Sequence, residues 1–169
     1  MIARGGMGSV LTATTVFTAN GRSVSVAHEA DETLLLVLRN RLDLTGSRYG
    51  CGLEQCGACV VLVDGEARPS CALPVEVVAG RAVTTVEALA DDPIGRVLLR
   101  VFDEDQAGQC GYCLSGILVR ALELLRQTPL PGRAEIVAAL DPHLCRCGAH
   151  PRILAAIERA SVLATSGAA

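Results

Sequence analysis

The 169-residue chain reads as an α+β protein, a small sheet crossed by one helix and followed by four packed helices. Three observations predict that order. The first half alternates apolar and polar residues with period two and carries two hairpin dipeptides, Asn20-Gly21 and Asp64-Gly65. From about Thr85 the period lengthens to that of an amphipathic helix. Half of the residues are hydrophobic while aromatics make up 2% and Trp is absent, so a core of Val, Leu, Ile and Ala is available.

The elements follow in chain order. Residues 1–11 are Gly-rich and unpatterned, a loose arm. Thr14 to Ala19 alternates as a strand, Asn20-Gly21 turns it, and Arg22 to Ala27 returns with Val24 and Val26 on one face. Asp31 is placed to cap a short helix carrying Leu34, Leu35, Leu38 and Leu42. Tyr49 to Cys59 is a Gly/Cys loop, after which Val60 to Val63, Asp64-Gly65 and Glu66 to Ser70 form a second hairpin, with Val83-Thr84 as a last strand. Ile94, Val97, Leu98, Val101 and Phe102 then line one helical face. Leu114, Ile117, Leu118, Ala121, Leu122 and Leu125 line another, leaving Arg120, Glu123 and Arg126 for solvent. Shorter helices are expected at Ala134 to Leu140 and Arg152 to Leu163, with a frayed end from Ala164. The boundary between the halves falls between Thr84 and Pro93, giving domains at 12–86 and 87–163 and loose termini at 1–11 and 164–169.

Charge and composition exclude several classes of function. Fifteen Lys and Arg against 18 Asp and Glu leave a net charge of −3, which disfavours a nucleic-acid partner. Four aromatic side chains, two Tyr and two Phe, cannot build stacking platforms for bases or sugars. The longest apolar runs, Leu34 to Leu38 and Ala58 to Val63, are far short of a membrane span. The uncharged stretch between Arg4 and Arg22 is too polar for a secretory signal, so a cytoplasmic location is expected, with export inside a complex left open. No Gly-rich nucleotide loop occurs.

The eight cysteines carry the chemistry. A chain able to build its own core has little need of four disulfides, and these cysteines lie in tight groups, as metal ligands do. Cys51, Cys56 and Cys59 follow a C-x4-C-x2-C spacing, with Cys71 as a fourth candidate, which is the plant-type spacing for a [2Fe-2S] cluster. Gly50, Gly52 and Gly57 let the loop backbone approach such a cluster. A four-cysteine zinc site would more usually show two C-x2-C knuckles, and this group has one. The second half holds Cys110-Gly-Tyr-Cys113 and Cys145-Arg-Cys147, each pair at a helix junction. Taken alone, that set is open among zinc, iron–sulfur and redox thiols.

The stretches Tyr49-Gly-Cys-Gly, Gln55-Cys-Gly-Ala-Cys, Gln109-Cys-Gly-Tyr-Cys and Leu144-Cys-Arg-Cys-Gly resemble the iron–sulfur subunit of the molybdenum hydroxylases, the xanthine oxidase family. The resemblance covers about Thr12 to Leu163. It implies a β-grasp ferredoxin-like domain and a C-terminal four-helix domain, each with one [2Fe-2S] cluster. Cys51, Cys56, Cys59 and Cys71 would hold the first, with Gly52 and Gly57 shaping its loop; Cys110, Cys113, Cys145 and Cys147 would hold the second. It further implies a separate large subunit carrying molybdopterin as the cytosine dinucleotide, with Gln109 and Cys147 nearest the pterin, and a flavoprotein or cytochrome as a further partner. Electrons would run from molybdenum to the helical cluster, on to the ferredoxin-like cluster, and out, while a N-heterocycle or aldehyde is hydroxylated on the large subunit. This chain then holds no catalytic residue. Gly111-Tyr112 and Cys147-Gly-Ala-His-Pro-Arg-Ile153 look more like the small subunits of isoquinoline and nicotinate dehydrogenases than like xanthine oxidase itself.

One position departs from the family pattern: Glu54 stands where Gly is common, restricting φ and adding a negative charge that favours the oxidised cluster. Arg146 is a candidate donor to cluster sulfides or a cofactor phosphate, or a solvated side chain. His28, His143 and His150 are not needed as ligands, and Arg39, Arg41 and Arg48 read as a solvated basic patch. The competing readings are a free-standing two-cluster ferredoxin and a colourless two-zinc module.

Overall fold

The computed structural model describes residues 12–166. The expected loose arm at 1–11 lies outside them, as do 167–169. The chain runs through β1 (Thr12–Ala19), β2 (Arg22–Glu29), α1 (Leu34–Arg41), β3 (Val60–Val63), β4 (Glu66–Pro69), β5 (Ala82–Thr84), α2 (Pro93–Glu104), α3 (Leu114–Gln127), α4 (Arg133–Leu140) and α5 (His150–Thr165). Two 3-10 turns, at Val75–Val78 and Val86–Asp91, add to the expected elements. The architecture is α+β, a mixed five-stranded sheet in the order β2-β1-β5-β3-β4 with the helical half behind it.

Both hairpins turn on residues that tolerate the left-handed region, Asn20 and Gly21 at φ 49° and 77°, Asp64 and Gly65 at 51° and 86°. The turn residues also fasten β5 into the sheet. Asn20 exchanges two bonds with Thr85, and Asp64 accepts from the Ala82 amide at 2.8 Å and the Arg81 guanidinium at 2.6 Å. β5 then pairs parallel to β1 and antiparallel to β3.

β3 explains the two-layer core. Its four residues are all buried because both faces are covered. Val61 and Val63 pack with Phe17, Leu34, Val37 and Leu38 under α1, whereas Val60 and Leu62 join the core of the helical half. Leu89, from the second 3-10 turn, is fully buried in that same helical core.

Several local expectations are corrected. Asp31 does not cap α1: it sits before the helix at φ 61°, Thr33 holds the N-cap position, and Leu42 is the residue after the helix end. Glu123 does not face solvent. It is 5% exposed, because β4 arrives against α3 and the Ala67 amide donates to its Oε1 at 2.9 Å, with Arg120 as its ion partner. Arg120 also donates to the Ala139 carbonyl at 3.2 Å, fastening α4 to α3. α5 starts at His150 rather than Arg152, Pro151 supplying a first-turn residue that needs no amide partner, and it runs to Thr165, past the expected fraying point. α2 begins where Asp92 accepts from the Gly95 amide at 2.8 Å, with Pro93 next.

Candidate metal centres

The first cysteine group is built mainly by one loop. Between α1 and β3 the backbone enters the left-handed region at Gly52, Glu54 and Gly57 (φ 68°, 60° and 71°), which curls it inward. Its amides then point at sulfur: Leu53 N–H and Gln55 N–H donate to Cys51 Sγ at 3.4 and 3.2 Å, and Cys51 N–H to Cys56 Sγ at 3.3 Å. The Leu53 amide, above all, pulls the Cys51 thiol down to about 7. Gly50 is needed for room, since a Cβ there would lie 2.5 Å from Cys56 Sγ. Cys59 and Cys71 meet side by side and are buried with Leu35, and burial pushes the Cys59 thiol up to about 11. Ser70 fixes the approach of Cys71, donating its hydroxyl to the Cys59 carbonyl at 2.7 Å while its own carbonyl accepts from Leu35 N–H at 3.0 Å.

The second group is assembled from two helix junctions. Cys110 and Cys113 lie between α2 and α3, Cys113 at the N-cap of α3, and Cys145 and Cys147 lie between α4 and α5. Cys110 and Cys147 stand 3.5 Å apart through their sulfurs, and Cys113 meets Cys145. The Tyr112 amide lowers the exposed Cys110 thiol, while burial drives Cys113 up to about 12. A cavity of about 360 Å³ is lined by all four of these cysteines and by Cys51 and Cys56 of the first group.

The donor chemistry fits two-iron clusters. Each quartet divides into two contacting pairs, Cys51 with Cys56 and Cys59 with Cys71, Cys110 with Cys147 and Cys113 with Cys145. A [2Fe-2S] cluster takes two thiolates on each of two irons, whereas zinc needs four donors converging on one point. Among the described residues no three His, Cys, Asp or Glu converge in that way, and all eight cysteines are free thiols rather than disulfides.

The two groups share a closely packed seam. Leu144 N–H donates to the Cys56 carbonyl at 3.1 Å, Ser115 Oγ to the Ala58 carbonyl at 3.2 Å, and Tyr112 Oη to the Tyr49 carbonyl at 2.5 Å. Gly116 of α3 lies so near the Gly57 carbonyl that a Cβ would overlap it, and the His143 ring fills the space beside Gly57. His143 is buried, its pKa held down to about 4 by that burial, and its carbonyl contacts His150 Nε2 at 3.0 Å.

The remaining candidates have definite places. Gln109 is exposed and donates through Nε2 to the Cys147 carbonyl at 3.3 Å; Arg146 is exposed and lines the cavity. His28 is buried between Thr15 and Glu76 in the sheet half, away from any cysteine. The three arginines are not a plain solvated patch: Arg39 donates to the Thr45 and Ser47 carbonyls, Arg41 pairs with Glu32, and Arg48 lies 6.0 Å over the Tyr112 ring. Sequence reasoning misses Tyr49, Tyr112 and Ser115 as seam residues, because no one-dimensional signal links them.

Known proteins match both halves. The 2Fe-2S iron-sulfur cluster binding domain family matches residues 17–90 and the [2Fe-2S] binding domain family residues 85–158. The chain is 45% identical over 142 residues to one of the nicotinate dehydrogenase subunits of Pseudomonas putida, covering 84% of this chain and 90% of that one. With the alpha chain of the isoquinoline 1-oxidoreductase of Brevundimonas diminuta it shares 47% identity over 146 residues, covering 86% and 95%. The chain belongs to the [2Fe-2S] small subunits of the molybdenum hydroxylase family. The solved quinoline 2-oxidoreductase from Pseudomonas putida 86 superimposes on this small subunit with a TM-score of 0.86 at 31% identity, covering 92% of this chain and 98% of that one. As a member of that family it is the electron-transfer component of an oxidoreductase complex, carries two [2Fe-2S] clusters and works with a large molybdopterin-binding subunit. Among the described residues no helix is long and apolar enough to cross a membrane.

Proposed function

We propose that Cys51, Cys56, Cys59 and Cys71 hold one cluster and Cys110, Cys113, Cys145 and Cys147 the other, in a cytoplasmic enzyme that hydroxylates a nitrogen heterocycle. The observation that carries the assignment is the division of each quartet into two contacting pairs, Cys51 with Cys56 and Cys59 with Cys71, Cys110 with Cys147 and Cys113 with Cys145. When bound, each cluster takes up and releases one electron at a time. The chain's own work is to hold eight thiolates in four pairs, to aim the Leu53, Gln55 and Cys51 amides at sulfur, and to keep the two groups in contact. Gly52 and Gly57 give the first loop its curl. Gln109, already bonded to Cys147, and Cys147 itself face the pterin of the large subunit, there as the cytosine dinucleotide. The domains are taken as 12–86 and 87–163.

The heterocycle reading rests on the relatives named for nicotinate and isoquinoline. An aldehyde is the second reading, favoured by the weaker likeness to an aldehyde oxidoreductase iron-sulfur-binding subunit of Escherichia coli, 33% identical over 157 residues. The test is purification of the chain with its large subunit, assay of iron, sulfide and molybdenum, and turnover of nicotinate, isoquinoline, quinoline and a benzaldehyde with a dye acceptor. Turnover confined to aldehydes would replace the heterocycle reading. Cys71→Ser and Cys113→Ser should each abolish one low-temperature EPR signal and leave the other; loss of neither signal removes the ligand assignment.

A further inference from the structure

Four kinds of contact cross the seam between the cysteine groups, and they differ in what fixes them. The Leu144 amide bond is main chain, the Gly116–Gly57 approach and the His143–Gly57 packing are steric, and Ser115 is buried in the first turn of α3. Tyr112 is different. It lies between Cys110 and Cys113, its side chain is half exposed, and burial therefore does little to hold it there. Its hydroxyl nevertheless donates to the Tyr49 carbonyl at 2.5 Å, two residues before Cys51, while Arg48 covers its ring face. The acceptor sits where movement matters: Gly50, the next residue, is packed against Cys56 Sγ. The hydroxyl thus joins the backbone beside one group's cysteines to the loop that shapes the other's.

We propose that Tyr112 is a positioning residue that holds the Tyr49–Gly50 end of the first loop against the second group, adding to the main-chain and steric contacts of the seam, and so tunes the separation of the two clusters and the rate at which electrons cross between them. Electron exchange between two centres falls steeply with distance, so a bond that closes the seam acts on rate without touching either ligand set. The inference rests on the assignment of the eight cysteines to two clusters. Arg48 is its second part, since its guanidinium, 6.0 Å from the ring centroid, adds a cation–π contact to the hydroxyl's bond.

Tyr112→Phe in the assembled enzyme removes the hydroxyl and keeps the ring. Iron and sulfide content are measured first; a wild-type enzyme without two clusters would defeat the ligand assignment, not this inference. With both clusters reduced, their magnetic interaction splits the EPR lines in a distance-dependent way. The expected result is a changed splitting in Tyr112→Phe, with each cluster's own signal retained, and hydrogen exchange at the Cys51 amide, which donates to Cys56 Sγ, faster by about fivefold, the loss of one hydrogen bond. Arg48→Gln should move both readouts in the same direction by less, and it serves alone if Tyr112→Phe fails to retain iron. Wild-type splitting and wild-type exchange in a fully loaded variant overturn the proposal.

Discussion

The two cysteine groups solve one problem in opposite ways. The first is a local object: three of its cysteines come from a nine-residue stretch whose own amides turn onto sulfur, and its inner pair is sealed under α1. The second has no such loop. Its pairs come from junctions separated by α3 and α4, so its geometry is set by helix packing, and Cys110 lies at the surface. A site of the first kind depends mainly on its own loop, and a site of the second kind is only as good as the core that brings its halves together.

The strongest test of that contrast attacks what both groups share. Gly116→Ala places a methyl on the Gly57 carbonyl, and main chain cannot step aside as a flexible side chain would. A cost of about 3 kcal/mol is expected, with a melting temperature lower by about 10 °C and iron lost from both groups together. Thermal unfolding with iron assay checks it; an unchanged melting curve would show that the seam is soft. Next come variants that separate the groups. Leu35→Ala opens a cavity beside Cys59 and Cys71, and Ile153→Ala opens one in the helical core, each costing about 3 kcal/mol. The first should weaken only the EPR signal of the ferredoxin-like half and the second only that of the helical half. Equal loss of both signals in either variant would mean that the halves unfold as one unit.

A smaller effect belongs to the helical half alone. Burial works to raise the Asp92 carboxyl, but the Arg126 guanidinium and the Gly95 amide outweigh it and hold its pKa below the ordinary value. A carboxyl whose folded pKa is depressed stabilises the fold above its unfolded value and loses that contribution as pH falls through the folded one. Asp92→Ala should therefore cost about 1 kcal/mol at pH 7, with the gap to wild type closing as pH drops below about 4. Melting temperatures of the two proteins across that range decide it, and a gap that persists in acid would leave the cap without an ionic part.

These contrasts also explain what can be seen in one dimension. Asn20-Gly21, Asp64-Gly65 and the first cysteine loop are legible because each is specified by adjacent residues needing particular backbone angles. Helix faces are legible for the same reason of local period, and the earlier start of α5 is itself signalled by Pro151, although apolar period alone places it at Arg152. What is not legible depends on distant segments meeting. Glu123 reads as a surface acid until β4 brings the Ala67 amide to it, and Tyr112 reads as an exposed ring until the Tyr49 carbonyl arrives. The pairing of Cys110 with Cys147 and of Cys113 with Cys145 likewise exists only after α3 and α4 have packed.

Glu54 offers the finest test of the local site, because it combines two effects that separate substitutions can pull apart. At φ 60° it occupies a conformation that costs a residue with a Cβ about 1 kcal/mol, and its carboxylate lies in the loop around Cys51 and Cys56. Glu54→Gly relieves the strain and removes the charge; Glu54→Gln removes the charge and keeps the strain. If charge governs the cluster, both variants should raise its midpoint potential by similar amounts, more at low ionic strength because the side chain is exposed, with the helical cluster unmoved. If backbone strain governs it, only Glu54→Gly should shift the potential, with a gain in stability of less than about 1 kcal/mol because glycine has more freedom to lose on folding. A shift of the helical cluster in either variant would show that charge on the first loop is felt across the seam, and that the local site is less self-contained than its cysteine spacing implies.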